Sequence, residues 1–330
     1  MSKVFVLFTV GTIASRYDPA TGGHIASLGA ADVLRQVPGL DAVADLEVVD
    51  WGRVPASQFT FDQIIELGGL LQAALDRNDI DGAVLVQGTD SIEETSFALD
   101  LLTESPKPVV VVGAMRSSDE DGFDGATNLR QAVRCAGTGQ LRDQGVVVVM
   151  AGQIHGGDDV VKSNTQAYTT FQSPNLGPLG AVDDRGIVLR RVRGPRPTVR
   201  TTVAAEPVFL VPSVVGADGS LIRAATTLGA RGLVIAGAGT GNTPVDMLEA
   251  SRDAMSAGAV VVLATRCFSG AVSPLYSFPG AGATWADAGA ILAGFLAAPK
   301  ARLALALGLG SGLDRAELLD LFATWSPVAR

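Results

Sequence analysis

Short apolar runs alternate along this chain with stretches of helical spacing, and that alternation limits the fold more than any other feature. Val4–Thr9 reads as a buried strand and runs straight into Val10-Gly11-Thr12; Leu46–Asp50 reads as a second strand. Phe61, Ile64, Ile65, Leu67, Leu70, Leu71, Ala74 and Leu75 recur at helical spacing, which predicts an amphipathic helix over Phe61–Asp76. Gly82–Gln87 is a third strand, turning at Gly88-Thr89-Asp90 into a helix over Ile92–Leu102. Pro108–Gly113 and Gly145–Met150 are further Val-rich strands with a helix near Thr127–Ala136 between them. Strand–helix–strand order of this kind argues for a parallel sheet with right-handed crossovers.

The rhythm breaks after about Ile187. Gly186–Val203 is charged and Pro-containing, and its Arg-rich core, Arg190–Arg200, reads as a solvated linker. A second α/β series follows. Pro207–Val215, Gly232–Ala236, Ala259–Thr265 and Ala301–Leu307 are expected as strands; Val245–Met255, Leu292–Phe295 and Asp314–Trp325 are expected as helices. The expected organisation is a larger N-terminal α/β domain with a mostly parallel sheet (1–190), a linker (191–205) and a smaller C-terminal α/β domain (206–330). Aromatics make up only 5% of a chain that is 47% hydrophobic, so both cores must be aliphatic.

Several function classes are disfavoured by composition. A net charge of −9 with four lysines (Lys3, Lys107, Lys162, Lys300) argues against nucleic acid or an anionic membrane as partner. No apolar run reaches the roughly 20 residues of a spanning helix. No secretory-signal pattern is visible at the N-terminus, so a soluble cytoplasmic protein is the expectation. Cys135 and Cys267 both lie in apolar segments and read as reduced, buried thiols. His24 and His155 make no metal motif, so neither a metal nor another cofactor is expected.

In an open parallel sheet, ligands bind at the carboxyl ends of the strands. Two threonines stand at such ends in the same local form, Gly11-Thr12-Ile13-Ala14 and Gly88-Thr89-Asp90. Either threonine alone would be read as a turn or cap residue, and Asp90-Ser91 with Glu93 and Glu94 resembles a capping box. The pair points instead to one crevice. A threonine hydroxyl is protonated at neutral pH and needs a base to act as nucleophile. Lys162, in the polar segment Asp159–Thr165, is the candidate third member. Burial and a neighbouring carboxylate pull a lysine pKa in opposite directions, and only a net depression would make it a base.

At these residues the chain resembles the bacterial-type L-asparaginases and glutaminase-asparaginases. The resemblance is carried by Thr9–Ala14, by Gln87-Gly88-Thr89-Asp90-Ser91-Ile92-Glu93-Glu94-Thr95 and by Gly113-Ala114-Met115-Arg116. Asp124-Gly125 with Asn128-Leu129, Lys162-Ser163-Asn164-Thr165, Phe171, Gly177–Gly180 and Lys300-Ala301-Arg302 continue it in order. It implies hydrolysis of L-asparagine to L-aspartate and ammonia through an acyl-threonine, without cofactor, in a homotetramer of two intimate dimers with each site between two subunits. Thr12 would be the acylated nucleophile, and Thr89, Asp90 and Lys162 the second catalytic group. Asp90 would also hold the substrate ammonium, Ser57 with its neighbour Ala56 the substrate carboxylate, and Gly88 and the Ala114 carbonyl the amide. Asn242 would reach the site of the partner subunit.

Three departures from the family pattern stand out. Val10 replaces the first glycine of Thr-Gly-Gly-Thr, so a backbone with positive φ would be strained there. Gln87 stands where histidine is commonest. The lid between Ser15 and Ser27 has its one tyrosine at Tyr17, while the family's lid tyrosine aligns near Gly23-His24. Glutamine or another small amide, and a non-catalytic amino-acid sensor, are the alternatives within this scaffold. A nucleotide-dependent oxidoreductase is disfavoured: no G-x-G-x-x-G follows the first strand, and Gly237-x-Gly239-x-Gly241 and Gly308-x-Gly310-x-Gly312 have the wrong spacing.

Overall fold

Valine-rich segments that are buried on both faces form the middle of the larger sheet. The computed structural model describes residues 1–327, and the chain divides into two compact units, Met1–Thr198 and Val199–Arg330. In chain order the first unit contains β1 (Lys3–Val10), β2 (Ser15–Asp18), β3 (Gly23–Ala26), α1 (Ala30–Arg35), β4 (Asp45–Asp50), α2 (Phe61–Leu75), β5 (Gly82–Gln87) and α3 (Ile92–Leu102). It continues with β6 (Val109–Val112), α4 (Gly125–Ala136), β7 (Val146–Met150), β8 (Gln153–Gly156), β9 (Val161–Lys162), β10 (Phe171–Gln172), β11 (Gly180–Asp183) and β12 (Gly186–Leu189).

Eight of these strands form one sheet in the order β12-β11-β8-β7-β6-β5-β1-β4. The β4-β1-β5-β6-β7 portion is parallel, and β8, β11 and β12 are added antiparallel. Every residue of β5, β6 and β7 is buried, as expected of a parallel sheet covered by helices on both faces. The covering helices present matching apolar faces; α2 buries Ile64, Leu67 and Leu71. Its start is fixed by a capping box in which Thr60 Oγ1 accepts from Gln63 N–H (3.3 Å) and Gln63 Oε1 accepts from Thr60 N–H (3.0 Å).

The second unit contains β13 (Val208–Pro212), α5 (Ser220–Thr227), β14 (Gly232–Gly237), α6 (Val245–Ser256), β15 (Val260–Thr265), α7 (Gly282–Ala288), β16 (Ile291–Leu292), α8 (Ala298–Gly310) and α9 (Arg315–Ala323). Its sheet has the order β13-β14-β15-β16 and is parallel throughout. The α/β class, with a large mostly parallel sheet in the first unit and a smaller parallel sheet in the second, is as the sequence predicts.

Four expectations are corrected. The segment Ala301–Leu307 is helical, inside α8, and not a strand. Its Leu–Ala alternation imitates a strand period, but Ala and Leu are strong helix formers and no β-branched residue is present. Leu292–Phe295 is not helical: Leu292 ends the two-residue strand β16, and Gly294 follows at φ +61°. Cys267 is exposed, just past the end of β15, whereas Cys135 is buried; both are free thiols.

The Arg-rich linker is not uniformly solvated. The Arg193 side chain is only 6% exposed and pairs with Asp100, itself 5% exposed, at 2.6 Å. Asp158 lies 3.2 Å from the same guanidinium, and Arg196 lies 3.7 Å from Asp100. Burial disfavours the Arg193 charge, but the Asp100 and Asp158 carboxylates outweigh it and the guanidinium is held more firmly protonated than usual.

Candidate active site

The register between β1 and β5 places the two threonines. Val10 pairs with Gln87 after a bulge near Phe8, so Thr12 and Thr89 each stand two residues past the same rung. Both open short 3-10 turns, Thr12–Ala14 and Thr89–Ser91. The strand ends come together because neither carries a side chain there. A Cβ on Gly11 would stand 2.4 Å from the Gly88 nitrogen, and one on Gly113 would stand 2.8 Å from the Gln87 carbonyl oxygen and 3.0 Å from Thr89 Cγ2. Glycine at these places is a requirement of close approach.

Val10 has φ +81° while being buried. A β-branched residue in that region is an outlier, and such outliers cost about 1–3 kcal/mol. The strain expected of a valine at this position is therefore present, directly before the Gly11-Thr12 turn.

Around Thr89 the polar groups converge. Lys162 Nζ donates to Thr89 Oγ1 at 2.9 Å and to Asp90 Oδ1 at 2.8 Å. The lysine comes from β9, which among the described residues pairs only with β10, in a two-stranded antiparallel ladder separate from the eight-stranded sheet. Its backbone is pinned by Glu93, whose Oε2 accepts from Lys162 N–H at 2.6 Å. Thr89 is buried, Lys162 is largely covered and Asp90 is exposed, so the cluster opens from a dry end to a wet one. The Thr12 hydroxyl makes no hydrogen bond among the described residues, and Thr12 is half-buried.

The capping-box reading of Asp90, Ser91, Glu93 and Glu94 is not realised. Ser91 precedes α3 without a side-chain cap bond. Its hydroxyl donates instead to the Ala56 carbonyl at 2.9 Å, and Glu93 is spent on Lys162. The Ser91 bond ties the short turn Ala56–Gln58 to the Thr89–Ser91 turn, with Ala56 buried and Ser57 exposed. A Cβ on Gly88 would stand 3.0 Å from the Ala56 Cβ, so Gly88 and Ala56 are neighbours too.

The loop after β6 starts at Gly113, where a Cβ would stand 3.0 Å from Thr89 Cγ2, and continues into Ala114. Asp124 Oδ1 accepts from the N–H groups of Met115 and Arg116, each at 3.0 Å. Asn128 Nδ2 donates to Asp124 Oδ2 at 2.8 Å and to the Gly113 carbonyl at 3.1 Å. Gln87, the last residue of β5, is buried. Its Nε2 donates to Thr95 Oγ1 at 3.3 Å, and its Oε1 has no partner among the described residues.

Two predicted residues are not joined to this cluster. Tyr17 lies on the β2–β3 hairpin, 53% exposed, and no hydrogen bond connects it to Thr12 among the described residues. Asn242 belongs to the second unit, in the turn after β14, where Asn242 N–H donates to the Ala238 carbonyl at 2.8 Å and its buried Oδ1 has no partner among the described residues. Glu93 was missed as a site residue because its place after Asp90-Ser91 imitates a helix cap. Asp119, which contacts the hairpin, lies in an acidic run that carries no motif.

Residues 3–193 match the family model described as Asparaginase, N-terminal. Residues 207–322 match the Glutaminase/Asparaginase C-terminal domain. The chain is 34% identical over 334 residues to a probable L-asparaginase of Deinococcus radiodurans, covering 98% of this chain and 97% of the relative. It is 31% identical over 312 residues to the L-asparaginase of Bacillus licheniformis, covering 94% and 96%. It is 30% identical to L-asparaginase 2 of Escherichia coli, covering 98% and 93%.

Proposed function

The chain belongs to the asparaginase family, and on that premise we propose that it hydrolyses L-asparagine to L-aspartate and ammonia with Thr12 as the nucleophile. The observation that carries this reading is the Thr89–Lys162–Asp90 cluster, set at the same rung as a half-buried Thr12 whose hydroxyl is not engaged among the described residues.

The geometry suggests a division of labour. Thr12 Oγ attacks the amide carbon and becomes the ester oxygen of an aspartyl-enzyme. Because Thr89 Oγ1 accepts from Lys162, its own proton is free to point into the crevice. It can pass to the departing nitrogen while Lys162 replaces it, so that ammonia leaves and Lys162 is left neutral. Water then attacks the ester. Its proton returns through Thr89 to Lys162, and Thr12 is regenerated by its own returning proton. Backbone N–H groups near Gly11 and Thr89 are the oxyanion donors in this scheme. Asp90 faces the substrate ammonium, Ser57 beside Ala56 faces its carboxylate, and Gly88 and the Ala114 carbonyl line the amide. Tyr17 on the hairpin relays the Thr12 proton, passing its own phenolic proton to solvent water as it takes that of Thr12, and the reverse transfer reprotonates Thr12 when the ester is hydrolysed. No step calls on a cofactor.

We further propose a homotetramer of intimate dimers in which Asn242 completes the partner's site; the buried Asn242 Oδ1, without a partner among the described residues, supports this. Two free thiols suit a reducing cytoplasm as its compartment. No helix among the described residues is long and apolar enough to cross a membrane.

Ammonia release from L-asparagine, L-glutamine, their D-forms and other small amides tests the reading. L-asparagine is expected to be the best substrate. Asparagine and glutamine differ by one methylene, which a simple pocket separates by only about 1–3 kcal/mol, so slower glutamine turnover is expected too. Binding of asparagine without ammonia release from any amide would contradict the proposal in favour of a sensor.

A further inference from the structure

The hairpin of β2 and β3 is held to the loop after β6 by Asp119, which contacts both of its strands, and by Ser118, which bonds the first residue of β2. Antiparallel pairing sets Tyr17 directly opposite His24, and their rings meet edge to face with centroids 5.7 Å apart. The Tyr17 backbone N–H donates to Asp119 Oδ2 at 2.7 Å. His24 Nε2 lies 3.9 Å from Asp119 Oδ1. Next to it, the Ser118 backbone N–H and hydroxyl both donate to the Ser15 carbonyl, at 3.1 and 3.0 Å. These contacts come from the loop after β6, the same loop whose backbone Asp124 braces beside Ala114.

An isolated two-stranded hairpin is marginal in water, so its position depends on such anchors. A main-chain donor held by a carboxylate is among the stronger hydrogen bonds. Tyr17 and His24 are both exposed, and β2 and β3 form a two-stranded sheet of their own. The side chain that sets where the tyrosine stands is thus outside the hairpin and outside the threonine cluster.

We infer that Asp119 is a positioning residue for the lid: it fixes the Tyr17 main chain, and with it the tyrosine, against the loop that carries Ala114. The inference rests on the amidohydrolase reading above. It assigns the position of the lid tyrosine to a cross-strand pair, Tyr17 and His24, gripped from one carboxylate.

The experiment compares the full-length wild type, Asp119→Ala and Asp119→Asn in three readouts: thermal midpoint, trypsin cleavage after Arg16 within the hairpin, and steady-state ammonia release from L-asparagine. Asp119→Ala should leave the midpoint unchanged, quicken cleavage after Arg16 about tenfold and lower kcat/KM about tenfold, mainly through KM, as expected when one charge-assisted hydrogen bond is lost. Asp119→Asn keeps an oxygen to accept from Tyr17 N–H and should bring both rates back to within a few-fold of wild type. Unchanged cleavage in Asp119→Ala overturns the inference, as does faster cleavage with unchanged kinetics. A lowered midpoint that Asp119→Asn does not restore would make Asp119 a merely structural residue and overturn it as well. Should the wild type release no ammonia, the amidohydrolase reading fails by itself, while an unchanged cleavage rate would still overturn the anchor.

Discussion

Lys162 Nζ reaches Thr89 Oγ1 at 2.9 Å across 73 residues of chain. The bond orients the threonine hydroxyl by occupying its oxygen with the lysine's proton. Replacing Lys162 with Met keeps the volume and removes both the donor and the proton store. On the proposed mechanism, kcat for asparagine should fall about 10²–10⁴-fold, the usual contribution of a positioned acid–base group. A loss of less than threefold, with the fold intact by circular dichroism, would remove Lys162 from the mechanism.

Val10 offers a test by reversal of an ordinary trend. Within strands, Gly is less stable than Ala by roughly 0.5–1 kcal/mol. At φ +81° the order should invert, because any Cβ is strained there. Val10→Gly is therefore expected to be more stable than Val10→Ala by about 1 kcal/mol, read by urea denaturation. The ordinary order would show that this backbone carries no strain.

Much of this was legible in the sequence, and the failures have physical causes. The strands β1, β5, β6 and β7 announce themselves because a strand buried on both faces must be continuously apolar. The paired Gly-Thr turns were legible as neighbours because both follow strands of one parallel sheet, and the structure sets Thr12 and Thr89 two residues past the same rung. Helix α8 was misread because period alone does not distinguish Leu–Ala alternation from a strand; the absence of β-branched residues was the better signal. The Arg193–Asp100 pair was invisible because its partners are 93 residues apart and a Pro-rich, charged segment looks solvated. Glu93 and Asp119 act through contacts distant in sequence, which neither spacing nor composition encodes.

The Arg193 pair predicts a large structural cost. Removing one partner of a buried ion pair leaves the other charge uncompensated, typically at 3–5 kcal/mol. Arg193→Ala strands the Asp100 carboxylate, with Arg196 at 3.7 Å as partial compensation. A loss of about 3 kcal/mol by urea denaturation is expected, and the double variant Arg193→Ala with Asp100→Ala should lose less than the two single changes added together. Additive losses would mean that the pair is not coupled.

His155 should make stability depend on pH. Burial, and secondarily the Arg191 charge, push its pKa down to about 4 from the ordinary 6.5. The folded state therefore favours neutral imidazole. This contribution is fully present above pH 6.5 and is lost as pH falls from 6.5 through 4, because the unfolded chain takes up the proton first. At the low end it amounts to about 3 kcal/mol. In His155→Gln the decline in unfolding free energy between pH 6.5 and 4 should be shallower by that order. Parallel curves for the two proteins would exclude His155 as the titrating group.

The most direct test of the account is to catch the acyl group on Thr12. Wild-type protein mixed with L-asparagine, quenched in acid during turnover, and digested should yield an aspartyl ester on the peptide containing Thr12, by mass spectrometry. The account predicts that adduct, its absence from Thr12→Ala, and loss of ammonia release in the same variant. Wild-type ammonia release by Thr12→Ala, or an aspartyl adduct mapped to Thr89 instead, would contradict it.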